Sequence, residues 1–183
     1  KLILFILFSI NIFSQIPDSL IRVEGDTTWY DLRYFNIEGK GWKDTEFYFD
    51  RLPFKAKEMV PEKVWTLSHN SAGLYSKFIT DSKAFRIKWT LNNSMVSMAH
   101  MPATGVSGVD IYRELSNGEW FYFGTGKPYH NPTNTSIFID SLSLSNEKEY
   151  LIYLPLYNGI SKLEIGIPSR NYIQKAKIDM GNR

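Results

Sequence analysis

The 183-residue chain contains no cysteine and only three histidines, His69, His100 and His130. Lack of cysteine excludes a disulfide framework, a thiolate zinc site, a cysteine nucleophile and a lipid-modified N-terminal cysteine. Three dispersed histidines argue against a histidine-rich metal centre, and neither a phosphate loop, a dinucleotide fingerprint, a calcium loop nor a paired-carboxylate pattern is found. No metal or cofactor is therefore expected. An excess of one charge is lacking as well, since 21 Lys and Arg face 19 Asp and Glu for a formal net charge of +2. That balance is too small to drive nucleic-acid or anionic-membrane binding by bulk charge. No stretch sustains a 3.6-residue apolar period.

Apolar material is plentiful, at 43% hydrophobic and 15% aromatic residues, enough for one substantial core. The N-terminal stretch stands apart: Lys1 is followed by Leu2-Ile3-Leu4-Phe5-Ile6-Leu7-Phe8, with no further charge until Asp18. A spanning helix needs roughly 20 apolar residues, so this shorter run reads as a secretory signal peptide over residues 1–15, with Ser14-Gln15 at the cleavage edge. Export to the periplasm or the exterior is expected, with no membrane attachment after cleavage.

The segment Phe85–Leu91 alternates apolar and polar residues without a fault, as a half-buried antiparallel strand requires. Asn117-Gly118 between Val109–Leu115 and Glu119–Phe123, and Asn158-Gly159 between Tyr150–Tyr157 and Ile160–Ile167, both carry the chemistry of type I′ hairpin turns. Thr28–Leu32, Thr45–Phe49, Val64–Leu67, Leu74–Thr80 and Ser136–Ile139 are further strand candidates, rich in aromatic or β-branched residues. Roughly nine or ten short strands without intervening helices predict an all-β fold, an antiparallel β-sandwich or jelly roll. The sandwich is expected over residues 16–169, with the polar 170–183 stretch as a linker.

Catalytic motifs are not evident. Ser71 and Ser107 each miss one glycine of the Gly-x-Ser-x-Gly elbow, and Gly25-Asp26-Thr27 leads into a strand-like Thr28-Trp29-Tyr30 instead of a helix. His100 and Asp110 are close enough in sequence for a base and its orienting acid, but spacing alone does not favour this over hydrogen-bonded structural roles. Among the five tryptophans, Trp89 shares the core face of its strand, whereas Trp42 in Gly39-Lys40-Gly41-Trp42 is the candidate for an exposed platform.

Several ordered segments resemble a known family: Gly39-Lys40-Gly41-Trp42, Asp50-Arg51-Leu52-Pro53, the 64–73 run ending His69-Asn70-Ser71-Ala72-Gly73, and the 98–112 run. With Tyr153–Gly159 they are similar to the N-terminal β-sandwich domain of bacterial SGNH/GDSL-type hydrolases, named for a Gly-x-Asp-Leu-Tyr motif. Here the motif stands as Gly108-Val109-Asp110-Ile111-Tyr112, with Ile in the Leu position. The resemblance implies a non-catalytic module of an exported esterase, with acylated carbohydrates as substrate class. It also implies a downstream catalytic domain as partner in the same polypeptide, carrying the Gly-Asp-Ser and Asp-x-x-His blocks, which leaves no catalytic residue to assign here.

Two motif loops hold the candidate contact residues: His69, Asn70 and Ser71 in one, His100 and Thr104 in the other, with Asp110 nearby. Small residues allow close backbone approach, while these side chains supply donors and acceptors. They are expected to form one polar patch facing the catalytic domain or its substrate. The alternative role is capping of strand ends. A different function also stays open, an autonomous carbohydrate- or protein-binding sandwich with a carbohydrate ligand on its aromatic side chains.

Overall fold

The computed structural model describes residues 20–141 and 147–177. The signal-peptide reading of residues 1–15 lies outside the described residues. The strands are β1 (Ile21–Glu24), β2 (Thr27–Asp31), β3 (Ile37–Glu38), β4 (Tyr75–Thr80), β5 (Ala84–Leu91) and β6 (Val109–Glu114). They continue with β7 (Trp120–Gly126), β8 (Thr133–Ile139), β9 (Lys148–Tyr153), β10 (Ile160–Pro168) and β11 (Ile173–Lys175). One sheet has the order β1-β2-β10-β5-β8 and the other β11-β4-β9-β6-β7, with β3 beside β4. The recorded strand pairs are antiparallel, and the two sheets form a β-sandwich.

The unbroken alternation of β5 explains its central place, because one face carries Phe85, Ile87, Trp89 and Leu91 into the core. The Phe85 ring lies 4.7 Å from Tyr150, 5.3 Å from Phe138 and 5.4 Å from Phe78, so aromatics from both sheets meet there. Trp89 is fully buried, and its Nε1 donates to the Ser107 carbonyl at 3.0 Å, which satisfies the one polar atom of its ring.

Five sequence expectations need correction. Val64–Leu67 is not a strand but part of helix α1 (Glu62–Ser68), which starts after Pro61 and buries Trp65 and Ser68. Thr45–Phe49 is a loop, held by the Phe47 amide on Asp50 Oδ2 at 3.0 Å and by the Thr45 hydroxyl on the Phe47 carbonyl at 2.7 Å. The β6–β7 hairpin exists, yet only Gly118 of its Asn-Gly pair has positive φ. The Gly118 amide bonds Leu115 O at 2.9 Å, the pattern of a type I turn closed by a left-handed glycine, not a type I′ turn.

Asn158-Gly159 is no hairpin at all, since β9 and β10 belong to different sheets and the segment crosses between them. Its glycine is needed for proximity: a Cβ there would stand 2.2 Å from the His69 carbonyl oxygen. The stretch read as a linker from residue 170 contains β11, which pairs Ile173 with Thr80 and Lys175 with Phe78. Its first residues therefore belong to the sandwich.

Register places the long connections at one end. Tyr75 at the start of β4 faces Tyr153 at the end of β9, which faces Asp110 near the start of β6. In the other sheet Ile160 begins β10 opposite Leu91 at the end of β5. The 39–74 and 92–108 connections both leave from this end, whereas the opposite end has short turns at 25–26, 81–83 and 115–119. A second short helix, α2 (Ala103–Ser107), lies in the 92–108 connection.

Candidate functional site

At the loop end, α1 finishes at His69, whose Nδ1 lies 2.9 Å from Asp50 Oδ2. A carboxylate only accepts, so Nδ1 carries the hydrogen and Nε2 is left for other partners. The imidazole is also held edge-on by Trp65 at 5.1 Å and Phe47 at 5.8 Å. Asp50 is almost wholly buried, at 1% exposure, and accepts the Phe47 amide as well. Arg51, beside it, donates from Nε to the Asn70 carbonyl at 2.8 Å and fixes the loop after the helix.

Ser71 is fully buried. Its hydroxyl donates to the carbonyls of Pro155 and Asn158 at 3.0 and 3.1 Å, and its amide bonds the same Asn158 carbonyl. Asn158, equally buried, sends its side-chain amide to Asn93 O at 3.0 Å and Ser107 Oγ at 3.1 Å, and accepts the Asn93 amide at 3.0 Å. Asn158 thus ties three segments together, the 69–73 loop through its carbonyl and the 92–93 turn and the end of α2 through its side chain. Ser71 and Ser107 both bond within this network, and among the described residues neither hydroxyl has a histidine or carboxylate partner.

His100 is exposed and makes no hydrogen bond among the described residues. The Thr104 carbonyl accepts the Gly108 amide at 3.2 Å, and a Cβ on Gly108 would meet that oxygen at 2.3 Å. The motif glycine is required by this close approach. Asp110 Oδ1 accepts the Thr125 hydroxyl, which also pairs with Tyr122 at 2.7 Å. No contact joins Asp110 to His100 among the described residues. The structure therefore brings the two motif loops to one end, joined through Asn158, but Asp110 projects onto the outer face of the six-stranded sheet instead of into the loop cluster. There Tyr112 meets Tyr122 at 5.7 Å and Tyr153 at 5.8 Å, both edge-on.

Sequence reading missed Asp50, Asn158 and the exposed aromatics of the 39–49 loop other than Trp42. Two clefts flank that loop and share Tyr48. One, of about 490 Å³, is lined by Phe47, Tyr48, His69, Asn92, Ile160 and Ser161, with Phe49 at its base. The other, of about 520 Å³, is lined by Trp42, Lys40, Lys43, Thr45, Tyr48 and Ile37. Among the described residues no group of three His, Asp or Glu side chains is placed to hold a metal ion.

Fold and site together define a β-sandwich module whose loop end holds His69, Ser71 and Ser107 in hydrogen bonds. The Gly-x-Asp-Leu-Tyr family, described as the N-terminus of SGNH-hydrolase-type esterases, matches residues 27–173, and the chain belongs to that family. A solved structure described as a GDSL-like lipase from Bacteroides ovatus is 31% identical and superposes with a TM-score of 0.74. The match covers 82% of this chain and 43% of that one, so the chain spans less than half the length of that relative. No curated protein matches the chain.

Proposed function

We propose that the chain is a non-catalytic N-terminal module of an exported SGNH-type esterase, whose loop end shapes or positions the substrate site of a downstream catalytic domain. Acylated carbohydrates are the proposed substrates. The observation that carries this reading is directional. Strand β11 runs antiparallel to β4, from Thr80 toward Phe78, so the chain heads toward the loop end as it leaves the sheet. That same end holds His69, Asn70, Ser71, His100 and Thr104, together with exposed apolar side chains such as Phe54, Met59, Val64 and Leu67. Exposed apolar surface of this kind marks a contact surface.

Family membership supports the pairing with an esterase domain, and the hydrophobic 1–15 stretch supports export. A second reading, an autonomous binding sandwich, is favoured by the exposed Trp42, Phe47 and Tyr48. The test uses the two-domain parent enzyme. Asn70→Ala and His100→Ala are expected to lower turnover while leaving the melting temperature unchanged. Unchanged turnover in both variants would defeat the proposal, and equal losses of stability and turnover would assign these residues to capping.

A further inference from the structure

Three large aromatic side chains stand exposed on one short loop: Trp42 at 47%, Phe47 at 59% and Tyr48 at 45%. They are not scattered, because Tyr48 is the shared wall of the two clefts, with Trp42 in one and Phe47 in the other. Exposing such area is costly unless a partner covers it. The partner must also satisfy polar groups, since His69, Asn92 and Ser161 line the first cleft.

Charge narrows the partner further. Behind the first cleft sits the buried Asp50 carboxylate, which disfavours an anionic ligand. In the second cleft, the Lys40 ammonium is held by Thr45 Oγ1 at 2.9 Å and by the Tyr48 carbonyl, and Lys43 adds a second cation that disfavours a cationic ligand, so a ligand spanning both clefts is best neutral. A ligand with flat C–H faces, a rim of hydroxyls and no charge fits this set. We infer that the paired clefts around Tyr48 bind a neutral oligosaccharide, with pyranose faces against Trp42, Phe47 and Tyr48 and ring hydroxyls on His69 Nε2, Asn92 and Ser161.

The contact with Asp50 gives the His69 ring a fixed orientation. With Nδ1–H committed to Asp50, Nε2 is the ring nitrogen left to hydrogen-bond a sugar hydroxyl. Preorganisation by Trp65, Phe47 and Asp50 lowers the ordering cost of that contact. The inference deepens the accessory-module reading and rests on it for the ester group, but the sugar contact belongs to residues of this chain alone.

The experiment is calorimetric titration of the chain with acyl-free tetrasaccharides of xylose, glucose and mannose. At least one is expected to bind, and Trp42→Ala and Phe47→Ala are each expected to weaken binding by roughly tenfold. Tyr122→Ala, on the outer face of the six-stranded sheet, is expected to leave binding unchanged, and thermal melting checks that all three variants fold. Absence of binding to every tetrasaccharide would overturn the inference. So would loss of binding in Tyr122→Ala with retention in Trp42→Ala and Phe47→Ala, which would move the site to the tyrosine face. Because no ester is involved, failure here is separate from failure of the esterase pairing, which is read by turnover.

Discussion

Asn158 Nδ2 lies 3.1 Å from Ser107 Oγ, and through this contact a residue between the two sheets holds the end of α2, directly before the Gly108–Tyr112 motif, in place. The same side chain brackets Asn93 by donating to its carbonyl and accepting from its amide, both at 3.0 Å. Replacing it leaves several buried groups without partners. Asn158→Ala is expected to lower the unfolding free energy by roughly 2–4 kcal/mol, measured by urea denaturation. A loss below the error of that measurement would remove Asn158 as the tie between the loops.

His100 gives the opposite expectation. It is exposed and makes no hydrogen bond among the described residues, so His100→Ala is expected to change stability by less than about 0.5 kcal/mol. A larger loss in the same urea experiment would show that the side chain is structural.

The aromatic centre of the core sets a third scale. Phe85 is 1% exposed and touches rings from both sheets. Phe85→Ala leaves a cavity between the sheets and is expected to cost about 3–5 kcal/mol, read from the shift in denaturation midpoint. Phe85→Leu is expected to cost less than the alanine variant.

Acid sensitivity follows from Asp140, which is 2% exposed. Burial pushes its carboxyl upward, but hydrogen bonds from Arg113, at 2.8 Å to both oxygens, and from Tyr150 at 3.0 Å outweigh burial and hold it below the ordinary 3.8. A folded-state value below the unfolded one means that stability is fully present above the unfolded value and is lost as pH falls through the folded one. Glu164 acts in the same direction, with burial opposed by Arg22 and Lys162. Urea midpoints are expected to fall between about pH 5 and about pH 3. Arg113→Leu is expected to flatten that fall, and an unaltered slope would contradict the assignment.

Much of the fold was legible because period-two alternation is a local signal, as the unbroken pattern of Ala84–Leu91 illustrates. Helix α1 was not legible: its seven residues are too few to display a helical period, and Val64 and Thr66 carry strand propensity. Asn158-Gly159 misled for a different reason. The pair supplies turn chemistry in many hairpins, but here asparagine bonds neighbouring loops and glycine makes room for the His69 carbonyl.

At the site, His69, Asn70 and Ser71 were visible as a motif, while their partners were not. Asp50 is 19 residues from His69 in sequence, and the carbonyls that hold Ser71 are 84 and 87 residues away. Only folding joins them. Asp110 was grouped with these residues by sequence proximity to His100, yet strand alternation turns it to the outer face beside Thr125.

On the accessory-module reading proposed above, this domain contributes to substrate recognition and not to the chemical step. The most direct measurement is the ratio of kcat/KM for an acetylated tetrasaccharide to kcat/KM for an aryl acetate, taken for the catalytic domain with and without this domain attached. A ratio cancels any loss of active enzyme. The ratio is expected to fall when the domain is removed, because the aryl ester has no sugar chain to contact the loop end. An unchanged ratio would contradict the account.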